Sequence, residues 1–488
     1  GRFPGFDGHG FRWHGWADWY CYYFGCLCSL SFVFIWQNEY VFLKRLNVIM
    51  EYIGIDIGTS SICGIAYRPS DKSCKTIVKE NSANMVSSCQ WEKIQDPERI
   101  YYIVEQIIDE LRTVCTDIKG IGFSGQMHGI LYVDADGMAV SPLYTWQDGR
   151  GNLPYKEGET YVDYMTKVTG WHVATGYGLV THYYNLHNGI VPDTAIKLCT
   201  IMDYVAMRLC KQANPSIELS NAASLGLFDK QRLAFKEPLL DRLHMDSSVL
   251  PTVVESRTVI GHYGDIPVCV SIGDNQAAFL GSVKDKDRSI HITIGTSSQI
   301  SVYSDEYIEI NGLDTRPFPG GGYLLVGASL CGGASFALLK DFFGRTLKLF
   351  TGAEVDDGYL FRQMTSMAYR ADSAEGIKVE TLFSGTRSDP NKRGKIEGIS
   401  LNNFTPENLI VKFVDGVCSC LYDYFVLIPD SISKGKTELV GSGNGLKNNP
   451  LMQHTLEEIF GKELRLSDVK EEAAFGACCM AMGSMINA

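Results

Sequence analysis

The sequence predicts an α/β protein built of two related halves that face one ligand cleft. Three observations carry that reading. The pentapeptide Ile-Gly-Thr-Ser-Ser stands at residues 57–61 and again at 294–298. Each copy follows an apolar β-like run and precedes residues suited to a returning strand, so each reads as a hairpin with a Gly-Thr-Ser turn. From Met50 onward strands alternate with amphipathic helices, and the polar motifs fall at strand ends, where α/β sheets hold ligands. A glycine turn lets N–H and hydroxyl groups approach an anion closely. Gly58, Thr59 and Ser60 in the first turn, with Gly295 and Thr296 in the second, are therefore candidate phosphate-binding residues. The halves differ in one respect: Asp56 precedes the first copy and Thr293 the second. A single carboxylate in a pseudo-symmetric phosphate site suits one Mg²⁺–nucleotide. The competing reading is two unrelated hairpins sharing turn residues by chance.

The elements follow in order. Strands are expected at about 51–57, 62–68 and 76–80, then a helix near Pro97–Cys115. The strand Ile118–Phe123 runs into Ser124-Gly-Gln-Met-His-Gly129, and Ile130–Val133 closes at an Asp-Ala-Asp-Gly turn. Helix-rich sequence fills about 155–245, and Ile266–Ile272 is a strand ending in Gly273-Asp-Asn275. After the second hairpin come Gly332-Gly333 at a helix head and a long helix near Pro406–Phe425. The strand Thr437–Val440 leads into Gly441-Ser-Gly-Asn-Gly445, with a helix starting near Asn448. An amphipathic helix, Val469–Met485, completes the series.

The 488 residues are 45% hydrophobic and 20% charged, enough for two or three domains with sizeable cores. The net charge of −12 and the lack of a basic run argue against a nucleic-acid or anionic-membrane partner. Fifteen cysteines, an odd number scattered through apolar runs, read as free thiols of a reducing cytoplasm. Residues 1–49 are expected to lie outside the fold. Trp19 to Ile35 carry no charge and are long enough for a membrane span. A signal anchor, an aromatic extension and translated upstream sequence compete. The position of Met50, directly before the first strand, favours the last.

Taken in order, Asp56-Ile-Gly-Thr-Ser, Ser124-Gly-Gln-Met-His-Gly, Trp146-Gln-Asp-Gly-Arg150, Gly273-Asp-Asn, Gly295-Thr-Ser, Gly385–Gly394, Gly441–Gly445 and Glu472-Ala-Ala-Phe-Gly-Ala resemble the FGGY family of carbohydrate kinases. The resemblance runs from about Met50 to the C-terminus. It implies two ribonuclease H-like domains of the actin–hexokinase–Hsp70 superfold, with the active site between them. Residues 50–284 would bind sugar and carry the base, and residues 285–488 would bind ATP. Thr145–Arg150, Ala174–Gly178, Asp203–Val205, Asn221–Ser224 and Gly327–Gly333 are most similar to the sedoheptulokinases. Xylulose and other ketose or polyol kinases are the neighbouring alternative. A sugar- or nucleotide-binding protein without turnover is the alternative of another class.

Phosphoryl transfer to a hydroxyl needs a phosphate cradle, a divalent cation and a carboxylate that accepts the proton. The family places its base on the Gly-Asp motif, which here is Asp274; the same residue could instead cap the following helix. Asp56 would reach Mg²⁺ through water. Many relatives carry Lys or Arg after the first turn, where this chain has Cys63. The resemblance makes Gln126, Met127, His128 and Asn275 sugar-side residues, joined by Trp146, Asp148 and Arg150. For that last group the alternative is a Trp anchor with an Asp148–Arg150 ion pair. Gly443, Asn444, Gly445 and Asn448 would receive adenosine, and Gly333 at a helix N-terminus could offer N–H groups to phosphate. The Gly385–Gly394 stretch and the closing Glu472–Ala477 run read as structural.

Overall fold

A computed structural model describes residues 50–367, 375–386 and 391–484. Residues 1–49, with the Trp19–Ile35 run, lie outside the described residues, as do residues 387–390 of the Gly385–Gly394 stretch and Met485. The chain divides into two compact units. One is described only at Met50 and the turn Arg68–Ser73, where the Arg68 guanidinium meets Asp71 at 3.4 Å. The other comprises Glu51–Tyr67 and Cys74 onward, and all that follows concerns it.

Strand β1 (Glu51–Ile57) is buried on both faces. It pairs antiparallel with β2 (Ser61–Arg68) and parallel with β4 (Ile118–Gly125). One face meets helix α1 (Pro97–Arg112), which Asp96 caps by accepting the Glu98 and Arg99 N–H groups. Its Ile103, Val104, Ile107 and Ile108 recur at helical spacing and pack on Ile53, Ile55 and Ile57. The order across this sheet is β5-β6-β4-β1-β2-β3, where β3 is Ser73–Glu80, β5 Val259–Tyr263 and β6 Ile266–Cys269. A short β7 (Ile272–Gly273) pairs with the end of β4. The expected strand Ile266–Ile272 is thus broken in two. Between β4 and β5 lie helices that include α2 (Tyr161–Thr169), α3 (Gly178–His187), α4 (Ile201–Leu209) and α5 (Leu219–Ser224), interspersed with short strand pairs. They build a separate apolar core around Tyr132, Tyr183 and Phe228.

Helix α6 (Asp274–Ser282) leads to the second sheet, whose order is β10-β11-β9-β8-β12-β13. Here β8 is Ser289–Ile294, β9 Ser298–Ser304, β10 Asp314–Pro317, β11 Tyr323–Ser329, β12 Glu438–Ser442 and β13 Leu464–Leu466. Strand β8 repeats the role of β1: antiparallel to its hairpin partner β9 and parallel to β12. Helix α7 (Gly333–Thr351) follows Gly332, and α8 (Pro406–Val426) lays Phe413, Val417 and Leu421 on the second core with Ile290 and Ile292. The glycine-rich segment after β12 enters a short helix α9 (Asn444–Lys447) before α10 (Pro450–Phe460), earlier than the expected start near Asn448.

The last helix, α11 (Glu472–Ser484), begins three residues later than expected and crosses back to the first sheet. Glycines permit this. A Cβ on Gly54 would sit 2.0 Å from the Ala474 carbonyl oxygen, and one on Gly476 would sit 1.9 Å from that of Ala277. Among the described residues no helix is long and apolar enough to cross a membrane.

Candidate active site

The two halves repeat each other at the level of hydrogen bonds. Asp56 stands opposite Ser124 on the neighbouring parallel strand, and the Ser124 hydroxyl donates to Asp56 Oδ1 at 2.6 Å. Thr293 stands opposite Ser442, and their hydroxyls lie 2.8 Å apart. The next residue along each parallel strand's path is glycine for the same reason. A Cβ on Gly125 would meet the Ile57 carbonyl oxygen at 2.8 Å, and one on Gly443 would meet that of Ile294 at 2.5 Å. Only the first half carries a carboxylate at this place.

Asp56 is half-buried, and its carboxyl is pushed up to about 7. Burial is the main cause; the negative charges of Asp274 and Glu471 add to it, and the Ser124 hydrogen bond opposes it. Cys63 faces Asp56 across the hairpin, and its thiol is pushed up by burial and then by Glu471 and Asp56. The site is therefore acidic where many relatives are expected to be basic.

The turns are pinned from behind. The Gly58 carbonyl accepts from Asn81 Nδ2 at 2.8 Å and that of Ser60 from the Asn81 N–H at 3.0 Å, while the Ser60 side chain stays exposed. Thr59 is spoken for. Its hydroxyl accepts from Trp146 Nε1 at 2.9 Å and lies 3.4 Å from Gln126 Oε1. Gln126 Nε2 then donates to Gln95, whose own Nε2 returns to the Thr59 carbonyl at 2.9 Å. The Gly58–Ser60 turn, Gln126 and Trp146 are thus one network. Gln126, 3% exposed, acts in it as a strut with protein partners at both ends of its amide rather than as an open sugar ligand.

Met127 packs next to Asp274: its sulfur would lie 2.4 Å from a Cβ on Gly273, so it supports that turn rather than lining an open surface. His128 adopts φ 76, a left-handed conformation that costs a non-glycine residue about 1–3 kcal/mol. Its ring stacks on Tyr177 at 4.8 Å, and Nδ1 carries the proton that the Ser224 carbonyl accepts at 2.8 Å. Asp274 is exposed and is the first residue of α6. Gly273 occupies the capping position, and no side chain caps the helix, so the capping role read as an alternative for Asp274 is absent. Asn275 reaches the second sheet: Nδ2 donates to Gln299 at 2.9 Å and to Ser301 at 3.1 Å. Its Oδ1 is buried without a partner and is the part that can meet a sugar hydroxyl.

Asp148 and Arg150 require a correction. They are 0% and 1% exposed and bind each other twice, at 2.6 and 3.1 Å. Arg150 also donates to Asn185 and Glu92, and lies 4.1 Å over the Tyr144 ring. Nothing of the pair is left for a sugar. Trp146 alone of that group remains half-buried beside the crevice.

In the second half Gly295, Gly333, Gly443 and Gly445 gather on bare backbone, Gly445 close to the Ile294 and Gly295 carbonyls. Thr296, Asn444 and Asn448 are exposed. The role read for Gly333 fails, however. The Gly333 N–H donates to the Gly295 carbonyl at 2.8 Å, and those of Gly332 and Ala334 donate to the Thr296 carbonyl. The hairpin turn plugs the helix N-terminus, so Gly333 serves close approach rather than anion binding.

Residues 51–281 match the N-terminal domain of the FGGY family of carbohydrate kinases. Over those residues the chain has an FGGY-type N-terminal domain. It is similar to the sedoheptulokinase of Mus musculus, at 26% identity over 87% of this chain and 96% of that protein. It is also similar to the xylulose kinase of Lactococcus lactis, at 25% identity over 88% and 87% of the two chains. Among solved structures, the ligand-bound xylulose kinase of Lactobacillus acidophilus shares the fold with a TM-score of 0.76 at 19% identity, covering 90% of both chains.

Two features escape sequence reading. Asp203, 1% exposed, accepts from Thr200 at 2.6 Å, from Asn221 Nδ2 at 3.0 Å and from Ser271. Ser271 leads into β7 and Asp274, while Asn221 belongs to α5, whose Ser224 holds His128. The segments that carry Asp274 and hold His128 are therefore joined through one buried carboxyl, which burial pushes up to about 7. Its presence in the sedoheptulokinase-like segments was the available signal. The second feature is Arg316 on β10, which no motif marks. It is 6% exposed, on a strand that packs against α5.

Proposed function

We propose that the chain transfers the γ-phosphoryl group of ATP to a ketose, with sedoheptulose giving sedoheptulose 7-phosphate as the favoured reaction. The observation that carries the reading is Asp274: an exposed carboxylate, excused from capping, at the mouth of β7 and within electrostatic reach of Asp56. The sugar hydroxyl oxygen attacks the γ-phosphorus as the bond to the β,γ-bridging oxygen breaks. Asp274 accepts the hydroxyl proton, and ADP leaves with the bridging oxygen. Ser60, Thr296 and the Gly58 backbone bind the phosphates from the two turns, while Gly295, whose N–H donates to the Ser297 carbonyl at 3.0 Å, only permits close approach. Gly443, Gly445, Asn444 and Asn448 take adenosine.

Asp56 fits Mg²⁺. It is an oxygen donor near Asp274 and Glu471, whose charges add to burial in opposing its ionisation and would be offset by a cation. A bound ion would neutralise phosphate charge there, in a site that offers no cation at Cys63. His128, Trp146 and Asn275 Oδ1 orient the sugar. The proposal includes a cytoplasmic setting, in keeping with the free cysteines among the described residues. It also includes the division near residue 284 into a sugar half and a nucleotide half. Support for sedoheptulose comes from the segments around Trp146, Gly176, Asp203 and Asn221, and a related kinase for xylulose is the neighbouring reading. The test is ADP release against a panel of ketoses and polyols. Fastest turnover with sedoheptulose is expected; fastest turnover with another sugar would reassign the substrate, and none with any sugar would sink the kinase reading.

A further inference from the structure

Strand β10 forms the edge of the second sheet, yet it docks on the first half of the molecule. The Pro317 carbonyl accepts from Gln276 Nε2 at 3.3 Å, two residues beyond Asp274. The same strand packs on α5, the helix whose Ser224 fixes His128. Arg316 therefore lies on a strand that meets both the helix carrying Asp274 and the helix that holds His128. Its Nε donates to Asp314 Oδ2 at 2.8 Å, and Lys230, from the first half, holds Asp314 Oδ1 at 2.7 Å. Tyr323 in turn donates to the Lys230 carbonyl at 3.0 Å. Asp314 is thus shared by two cations, one from each half.

Among the described residues Asp314 is the hydrogen-bond partner of Arg316, and neither Nη nitrogen is sealed from solvent. Burial works against the guanidinium charge, but Asp314, then Tyr177 and Asp274, outweigh it and raise its pKa. Tyr177 is the ring that stacks on His128. Two cations on one carboxylate leave a net positive charge beside the base, which favours the ionised Asp274 that accepts a proton. A guanidinium fork also suits two adjacent hydroxyls, as an ammonium does not.

We propose that Arg316 is a sugar-binding residue supplied by the second half, its Nη groups donating to neighbouring hydroxyls of an open-chain ketose or polyol. The assignment rests on the crevice of Asp274 and His128 being the sugar site. Part of sugar selectivity would then reside outside the first half, and the site would be complete only with both halves docked.

The test measures equilibrium binding of the tightest-bound sugar from the ketose and polyol panel, by calorimetry, alongside ADP binding and the thermal midpoint. Losing hydrogen bonds from a charged donor, R316M should weaken sugar binding by about 10–150-fold. ADP binding should stay unchanged. R316K, which keeps the charge and loses the fork, should fall between parent and R316M. Sugar binding within twofold of the parent in R316M, or equal losses for sugar and ADP, would overturn the assignment. If R316M does not fold, R316K decides, with unaltered sugar affinity again counting against it. A parent that binds sugar without releasing ADP fails the kinase reading alone and leaves this measurement decisive; a parent that binds none of the panel overturns both.

Discussion

Replacing Asp56 by asparagine should make this protein more stable and less active, with the gain growing as pH rises. Asparagine matches the carboxylate in shape and can still accept the Ser124 hydroxyl. The folded carboxyl titrates at about 7 against an ordinary value of 3.8, because burial and the Asp274 and Glu471 charges oppose its ionisation. The native state therefore binds a proton between those values that the unfolded chain has released, and stability falls as pH climbs from 3.8 to about 7. A shift of roughly 3 pH units at 1.36 kcal/mol each amounts to about 4 kcal/mol above about pH 8. Solvent reaching a half-buried side chain screens part of it, leaving about 2–4 kcal/mol. At about pH 4.5 the same linkage leaves about 1 kcal/mol. Denaturant unfolding of parent and D56N at both pH values measures the difference, and added MgCl₂ should narrow it at high pH by stabilising the parent alone. A gain equal at both pH values, or D56N less stable than the parent at high pH, would refute the reasoning. Turnover with Mg²⁺ should be severely reduced in the same variant.

Asp274→Asn should lower kcat by about 10²–10⁴-fold with ADP affinity and stability little changed, since the residue caps nothing; activity within a few-fold of the parent in a steady-state assay would remove it from the mechanism. Arg150→Met strands the Asp148 charge in a sealed environment and should cost about 3–5 kcal/mol in denaturant unfolding. A raised sugar KM with unchanged stability would instead restore these two residues to the sugar site. A chain beginning at Met50 should fold and phosphorylate as fast as the full chain, and loss of either property in an expression and turnover assay would place residues 1–49 in the working protein.

The strands that carry the site were legible because isoleucine recurs at every second position in Ile53–Ile57 and Ile290–Ile294, and because glycine turns punctuate them. The repeated pentapeptide located both turns. Partners across the chain were not legible. Ser442 is an ordinary serine until β12 lies beside β8 and sets it 2.8 Å from Thr293. Asp148 and Arg150 read as sugar-side residues with their mutual ion pair as the alternative, and the sequence could not choose the ion pair because nothing local shows the Asn185 and Tyr144 that enclose it. Gly333 looked like an anion site because a helix N-terminus offers N–H groups, and only tertiary placement shows that the Gly295 and Thr296 carbonyls already accept them. Arg316 had no local signature, for its meaning comes from Gln276 and Lys230, both remote in sequence.

Helix α11 carries a consequence for how the molecule is made. It covers β1 and β4 through contacts so close that Gly54, Gly122 and Gly476 tolerate no side chain. The ribosome delivers those strands early and α11 late. Between Gly273 and Glu472, at ~5–20 residues per second, the wait is on the order of 10–40 s. Throughout it the flank bearing Gly54 and Gly122 stays bare, an apolar surface of a nascent chain whose sheet is otherwise ready to close. The first half is therefore a client for chaperones while the second is being translated, and a release from the ribosome before Ala477 would leave it permanently uncapped.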